Sequence, residues 1–153
     1  MTSLIIREAS KQDRDAVIAL WRACDLTRPW NDPDNDFGFA LDKPSSHILI
    51  AFTPENGCDP THAIGTIMVG HDGHRGWFYY LAVTPDQQGQ GFGKQLLRAA
   101  EEWLLAKGIW KAHLMVRTGN EKVIRFYEDL GYNVSETQVM ERWIDPSKRG
   151  DNA

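Results

Sequence analysis

Apolar positions change their spacing several times along the chain, and each change marks an element. Leu4, Ile5 and Ile6 form a short run that predicts a first strand. Ser10 and Asp13 then stand as a capping box, followed by Val17, Leu20, Trp21 and Cys24 at helical intervals, which predicts a helix over 11–25. Residues 26–36 hold two prolines and a run of Asp and Asn after Trp30, the pattern of a loop, with a short helix to follow at 37–41. Apolar runs at 47–53, 63–70 and 77–83 read as strands, and Asp72-Gly73 reads as a hairpin turn between the last two.

The second half reads differently. Strand 77–83 runs into a glycine-rich turn at 87–93, and an amphipathic helix follows with Leu96, Ala100, Trp103 and Leu104 on one face and Gly108 as its stop. A strand at 112–116, a helix at 121–130 closed by Gly131, and two further strands at 132–136 and 138–144 complete the order. Strands and helices mixed in this way predict an α+β (mixed α/β) domain built around one sheet.

Composition narrows the class. The 153 residues are 42% hydrophobic and 25% charged, which suits one folded domain over 1–145 with a polar C-terminal tail at 146–153. With 17 Lys and Arg against 21 Asp and Glu, the formal net charge of −4 gives neither the footprint of a nucleic-acid binder nor a polybasic membrane patch. No apolar stretch approaches the roughly 20 residues that span a bilayer. The N-terminus lacks the cationic start and apolar core of a signal peptide, and Cys24 and Cys58 are too few for a disulfide framework, so a cytoplasmic protein is expected.

The turn Gln87-Gln-Gly-Gln-Gly-Phe-Gly-Lys94 carries the most chemistry. Glycines let backbone approach a ligand, and a helix N-terminus offers free N–H groups to phosphate oxygens. Two phosphate cradles fail by count. A P-loop ending at Gly93-Lys94 would place its first glycine at Gln88 and its hydroxyl at Gln95, and a dinucleotide fingerprint starting at Gly89 would require glycine at Lys94. The pattern Gln88-x-x-Gly91-x-Gly93 instead resembles the pyrophosphate motif of the GNAT superfamily of N-acetyltransferases. A second stretch, Asn120-Glu-Lys-Val-Ile-Arg-Phe-Tyr127-Glu-Asp-Leu-Gly131-Tyr132, resembles that superfamily's other motif, and the likeness runs over essentially the whole chain.

The resemblance implies a single GNAT-type domain. Its central, mostly antiparallel sheet would have about six to seven strands and about four flanking helices, with a splayed parallel pair at the acetyl-CoA site. It implies acetyl-CoA as acyl donor, no metal, and acetyl transfer to a primary amine of a small molecule or peptide in a ternary complex. Gln88, Gly89, Gln90, Gly91, Phe92, Gly93 and Lys94 would hold the pyrophosphate. The backbone of Leu81, Ala82 and Val83 would pair with pantetheine, and Asn120 and Phe126 would border the cofactor. Tyr127 would be the general acid: a phenol with pKa about 10 stays protonated at neutral pH while a thiol ionises near about 8.5. The plain alternative packs Tyr127 on its helix's apolar stripe with Val123 and Leu130.

The base is less apparent. Some N-terminal acetyltransferases of the superfamily place Glu five residues before the motif asparagine, where this chain has Met115. Tyr79 and Tyr80, acting through water, and Asp32 are the remaining candidates. Bringing an α-amino group to neutrality at pH 7 costs about 1–1.4 kcal/mol, against about 4.6 for lysine, so the missing Glu favours a less basic amine or one deprotonated by a water relay. Arg28, Trp30 and Asp32 gather in the loop that borders the acceptor in the superfamily, and the segment Thr27 to Pro33 also resembles the bacterial YpeA-like branch. His71 and His74 sit at a hairpin turn without a third ligand, so no metal site is expected there, and His113 reads as structural. Neither cysteine stands in an activating setting for a nucleophile. A monomer or homodimer is expected, and a non-catalytic acyl-CoA sensor is the alternative function.

Overall fold

The computed structural model describes residues 2–149. Five strands, β1 (Ile5–Glu8), β2 (Ser46–Phe52), β3 (Gly65–His71), β4 (Gly76–Val83) and β5 (Ala112–His113), form one sheet in chain order. The first four run antiparallel, and β5 lies parallel to β4. Four helices flank them: α1 (Arg14–Ala23), α2 (Pro33–Ala40), α3 (Phe92–Ala106) and α4 (Glu121–Asp129). The helix α3 forms the crossover between β4 and β5, as a parallel pair requires.

The sheet separates two apolar clusters. On one face Leu96, Ala100 and Leu104 of α3 pack on Leu49, Ile67, Val69 and Phe78. On the other, Val17, Ile18 and Trp21 of α1 and Phe37 of α2 pack on Ile48, Ile50 and Phe52. Strand alternation explains how β2 serves both, since Leu49 faces α3 while Ile48 and Ile50 face α1. At Gly65 a Cβ would stand 2.7 Å from Leu96 Cδ1 and 2.9 Å from the Ala82 carbonyl oxygen, so its absence lets α3 lie close against the sheet. The Ser10–Asp13 signal is realised as a staple. The fully buried Asp13 accepts the Ser10 N–H at 2.8 Å and both Arg7 guanidinium nitrogens at 2.7 and 3.0 Å, tying β1 to the start of α1.

The α+β architecture and the four helices match expectation, while three boundaries change. Helix α2 begins at Pro33, within the expected loop 26–36. Proline at the first helical position gives up no hydrogen bond, and Asp32 caps the helix by accepting the Asp34 N–H at 2.9 Å. The strand expected over 112–116 is reduced to Ala112–His113. The strands expected at 132–136 and 138–144 are absent, leaving five strands among the described residues instead of six or seven. A strand is stabilised by a paired neighbour and a buried face. With β5 two residues long, Val134, Val139, Met140 and Ile144 have neither and stand exposed. Residues 150–153 of the expected tail lie outside the described residues. Among the described residues no helix is long and apolar enough to cross a membrane.

Candidate functional site

Strand β4 contains a bulge. Its register against β3 runs Met68 with Tyr79 and then Thr66 with Ala82, so Tyr80 and Leu81 together face Ile67. Tyr80 takes the extra residue's conformation, with φ +53°. On its other edge β4 pairs with β5 only at Gly76 and Trp77, and beyond these the two strands part. The Thr84 N–H bonds the Ile64 carbonyl, so by alternation Leu81 and Val83 turn their backbone polar groups away from β3, into the gap. The Val83 carbonyl is occupied there, accepting Gln88 Nε2 at 2.9 Å and the Cys24 thiol at 3.2 Å.

The glycine turn follows. Gly89 (φ +80°) and Gly91 (φ +82°) are left-handed, a conformation that disfavours any side chain with a Cβ, and Gly91 is the N-cap of α3. Among the described residues, no protein group pairs with the backbone N–H groups from Gln88 to Lys94. They crown the positive end of a 15-residue helix, a ready anion site. At Gly93 a Cβ would lie 3.3 Å from Phe126 Cζ, so this glycine admits the α4 ring against the helix start. Lys94 and Gln90 are exposed beside the turn. A groove of about 890 Å³ between β1 and α3 reaches the turn only at Gly91 and Lys94, and no residue of β4 or β5 lines it.

Tyr127 of α4 is half-buried at the edge of the α3-side cluster, with its ring edge-on to Phe126 and Tyr132. Burial pushes its pKa up to about 12. Asn120 is the α4 N-cap through its backbone carbonyl, and its exposed side chain makes no capping bond.

The other face gathers a polar group. Tyr80 stacks on Trp21 at 4.0 Å and its hydroxyl donates to Asp36 Oδ2 at 2.6 Å. Burial first, and then Asp36, raise the pKa of this phenol, while the nearby Arg28 and Asn31 oppose the shift. Trp30 meets the Arg117 guanidinium at 5.9 Å, so the α1–α2 loop reaches the segment after β5. Tyr79 is exposed, its pKa raised by partial burial and by Asp72. Of the acceptor-side residues expected from the sequence, Tyr80 lies here, Arg28 donates to the Asp25 and Thr27 carbonyls within the α1–α2 loop and stands 3.9 Å from Asp25 Oδ1, and Asp32 is engaged in capping α2. The loop pattern of residues 26–36 conceals Asp36. Its only signal was the four-residue step from Asp32, one turn of a helix.

The remaining candidates fall into local roles. His71 Nδ1 accepts the Gly73 N–H, His113 stacks on Trp77 at 5.0 Å, and Met115 is exposed. Among the described residues no three His, Cys, Asp or Glu side chains group as metal ligands.

Comparison with known proteins bears on the family and the fold. The model of the Acetyltransferase (GNAT) family matches residues 15–132. An acetyltransferase of Yersinia pestis (strain Pestoides F) is 42% identical over 135 residues, covering 88% of this chain and 92% of the relative. One from Pectobacterium atrosepticum is 45% identical over 127 residues, covering 83% and 86%. The fold also matches the aminoglycoside N-acetyltransferase AAC(6')-Iy in complex with the bisubstrate analogue CoA-S-monomethyl-acetylneamine. That match has TM-score 0.75 at 18% identity, over 93% of this chain and 99% of that one.

Proposed function

The chain belongs to the Acetyltransferase (GNAT) family, and from that premise we propose that it transfers the acetyl group of acetyl-CoA to a primary amine by direct attack in a ternary complex. The observation that carries this reading is the row of unpartnered N–H groups from Gln88 to Lys94 at the start of α3, beside a gap between β4 and β5. An extended phosphate-bearing chain fits both parts. The turn grips pyrophosphate without a basic surface, which suits a protein of net charge −4. The gap offers the backbone groups of Leu81 and the Val83 N–H to pantetheine amides, and Phe126 closes against Gly93 beside them.

Acetyl-CoA supplies an activated thioester carbonyl. By the alternation set at Thr84, Leu81 turns its N–H into the gap, where it polarises that carbonyl. Tyr127 holds a proton at its hydroxyl for the departing sulfur. A pKa near about 12 keeps the phenol protonated, and the same burial that raises it makes a thiolate there more basic than in water. Position 115 is Met, so in this reading the amine arrives neutral or passes its proton to water.

Thiol release from acetyl-CoA across a panel of amines tests this reading. Turnover is expected with at least one primary amine. Tyr127→Phe should lower kcat by about 10²-fold or more with CoA affinity unchanged, since general acid catalysis typically contributes that much. Full turnover by Tyr127→Phe would remove the tyrosine from the mechanism.

A further inference from the structure

Arg117 lies four residues beyond the last paired position of β5, and its surroundings place it on the acceptor side. Ala112 and Leu114 pack into the α3-side cluster, so the residues alternating with them turn to the face that α1 and α2 cover. Two contacts agree with this: His113 stacks on Trp77, and Arg117 meets Trp30 of the α1–α2 loop at 5.9 Å. Trp77 pairs with His113, and the same four-residue step along β4 ends at Leu81. Arg117 therefore stands level with the bulge, across the gap from the N–H assigned to the acetyl carbonyl.

The guanidinium is held in place but has no counter-ion. The Arg117 carbonyl accepts the Asn120 N–H at 3.1 Å, a turn that fixes the backbone ahead of α4. The half-buried Trp30 ring backs the guanidinium, and among the described residues no carboxylate or carbonyl takes its five N–H donors. The charged groups facing it from the loop and α2 are engaged elsewhere. Arg28 is anchored by the carbonyls of Asp25 and Thr27, Asp32 caps α2, Asp34 pairs with Arg14, and Asp36 accepts the Tyr80 hydroxyl. A free guanidinium attracts a carboxylate or a phosphate, whose oxygens its planar fork matches with two parallel bonds, and it repels a second ammonium.

We propose that the Arg117 guanidinium, backed by Trp30, receives an anionic group of the acceptor, so that the acceptor is a small amine that also carries a carboxylate or a phosphate. This rests on the acetyl-transfer reading and names the substrate class of that site. The anion anchors the molecule on the β5 side of the gap, and its amine is left to reach the thioester from the face that α1 and α2 cover. A polyamine would bring like charge to the same place and is disfavoured.

The test measures binding to the CoA-loaded protein, by calorimetry, of matched amines that differ by one anion: L-amino acids against their amides, and phosphoethanolamine against ethanolamine. Native protein should bind the anionic member of at least one pair about tenfold or more tighter, and the pair that shows it tells carboxylate from phosphate. Arg117→Gln should remove most of that preference, and Arg117→Lys, which keeps the charge without the fork, should retain part of it. Lys107→Gln is the control. Lys107 also lies over a tryptophan, Trp103 at 4.8 Å, but at the far end of α3, and its loss should leave the native preference in place. Failure of the native protein to bind CoA would overturn the acetyl-transfer reading, and the substrate class with it. If CoA binds but no anionic amine is favoured over its partner, or if Arg117→Gln keeps the preference or Lys107→Gln loses it, the acetyl-transfer reading stands and the substrate-class proposal falls.

Discussion

Gly91→Ala separates the backbone cost of the turn from its role in holding a ligand. Gly91 has φ +82°, and forcing a residue with a Cβ into that region costs about 1–2 kcal/mol. For a chain of this length each kcal/mol lowers Tm by about 2–4 °C, so the unliganded variant should melt about 2–8 °C below native. The turn can instead relax, which rotates N–H groups away from a common point. CoA at a hundredfold excess over its Kd stabilises the native protein by about 2.7 kcal/mol, a shift of about 5–11 °C. If relaxation weakens CoA about tenfold, about 1.4 kcal/mol remains and the shift is halved. Gly108→Ala is the matched control: Gly108 has φ +81°, follows the other end of α3, and a Cβ there meets nothing within 4 Å. It should lose the same stability and keep the full CoA shift. Thermal melts of the three proteins, with and without CoA, decide the matter. An undiminished CoA shift in Gly91→Ala, or an equal reduction in Gly108→Ala, would refute the assignment of the turn as the anion site.

Two further outcomes concern the scaffold. The Arg7 hydrogen bonds hold the Asp13 pKa below the usual carboxylate value, against the opposing effect of burial. Its stabilisation is therefore complete above the unfolded value of about 3.9 and is lost as pH falls through the lower folded value. Asp13→Asn should lose about 1–3 kcal/mol at pH 7 by denaturant melts, and its deficit against native should shrink below about pH 4. Gly65→Ala presses a methyl group toward Leu96 and the Ala82 carbonyl, so it should cost about 1–3 kcal/mol; a neutral substitution would show that α3 can lift from the sheet freely.

What the sequence disclosed and what it concealed divide along the range of the forces involved. The turn at Gly89 and Gly91, the capping signal at Ser10 and Asp13, and the apolar stripe of α3 are local: each depends on residues within a few positions, so each could be read directly. The Tyr80 bulge could not. A tyrosine carries no preference for φ +53°, and the conformation is imposed by pairing with β3 on one side and packing on Trp21 on the other. The Tyr80–Asp36 bond joins residues 44 apart in sequence, and only the fold brings them together. Pro33 illustrates a third case, in which one residue type has two meanings. Proline both breaks and begins helices, and the choice was made by Asp32 capping the turn ahead of it. The apolar alternation after residue 131 is the reverse, a strand pattern without a neighbouring edge long enough to accept it.

The division of the apolar interior into two clusters has a consequence for how such a protein can change over generations. The turn, α3 and α4 draw on one cluster, while Trp21, α2 and the loop between α1 and α2 draw on the other. Substitutions more than about 7–10 Å apart with no shared partners add nearly independently. Lineages can therefore rework α2 and its preceding loop, where Asp36 and Arg28 reside, while the glycine turn proposed to grip the acyl donor stays intact. Inheritance of the proposed donor half and experimentation in the other half become separable processes, meeting along the strands that carry both clusters.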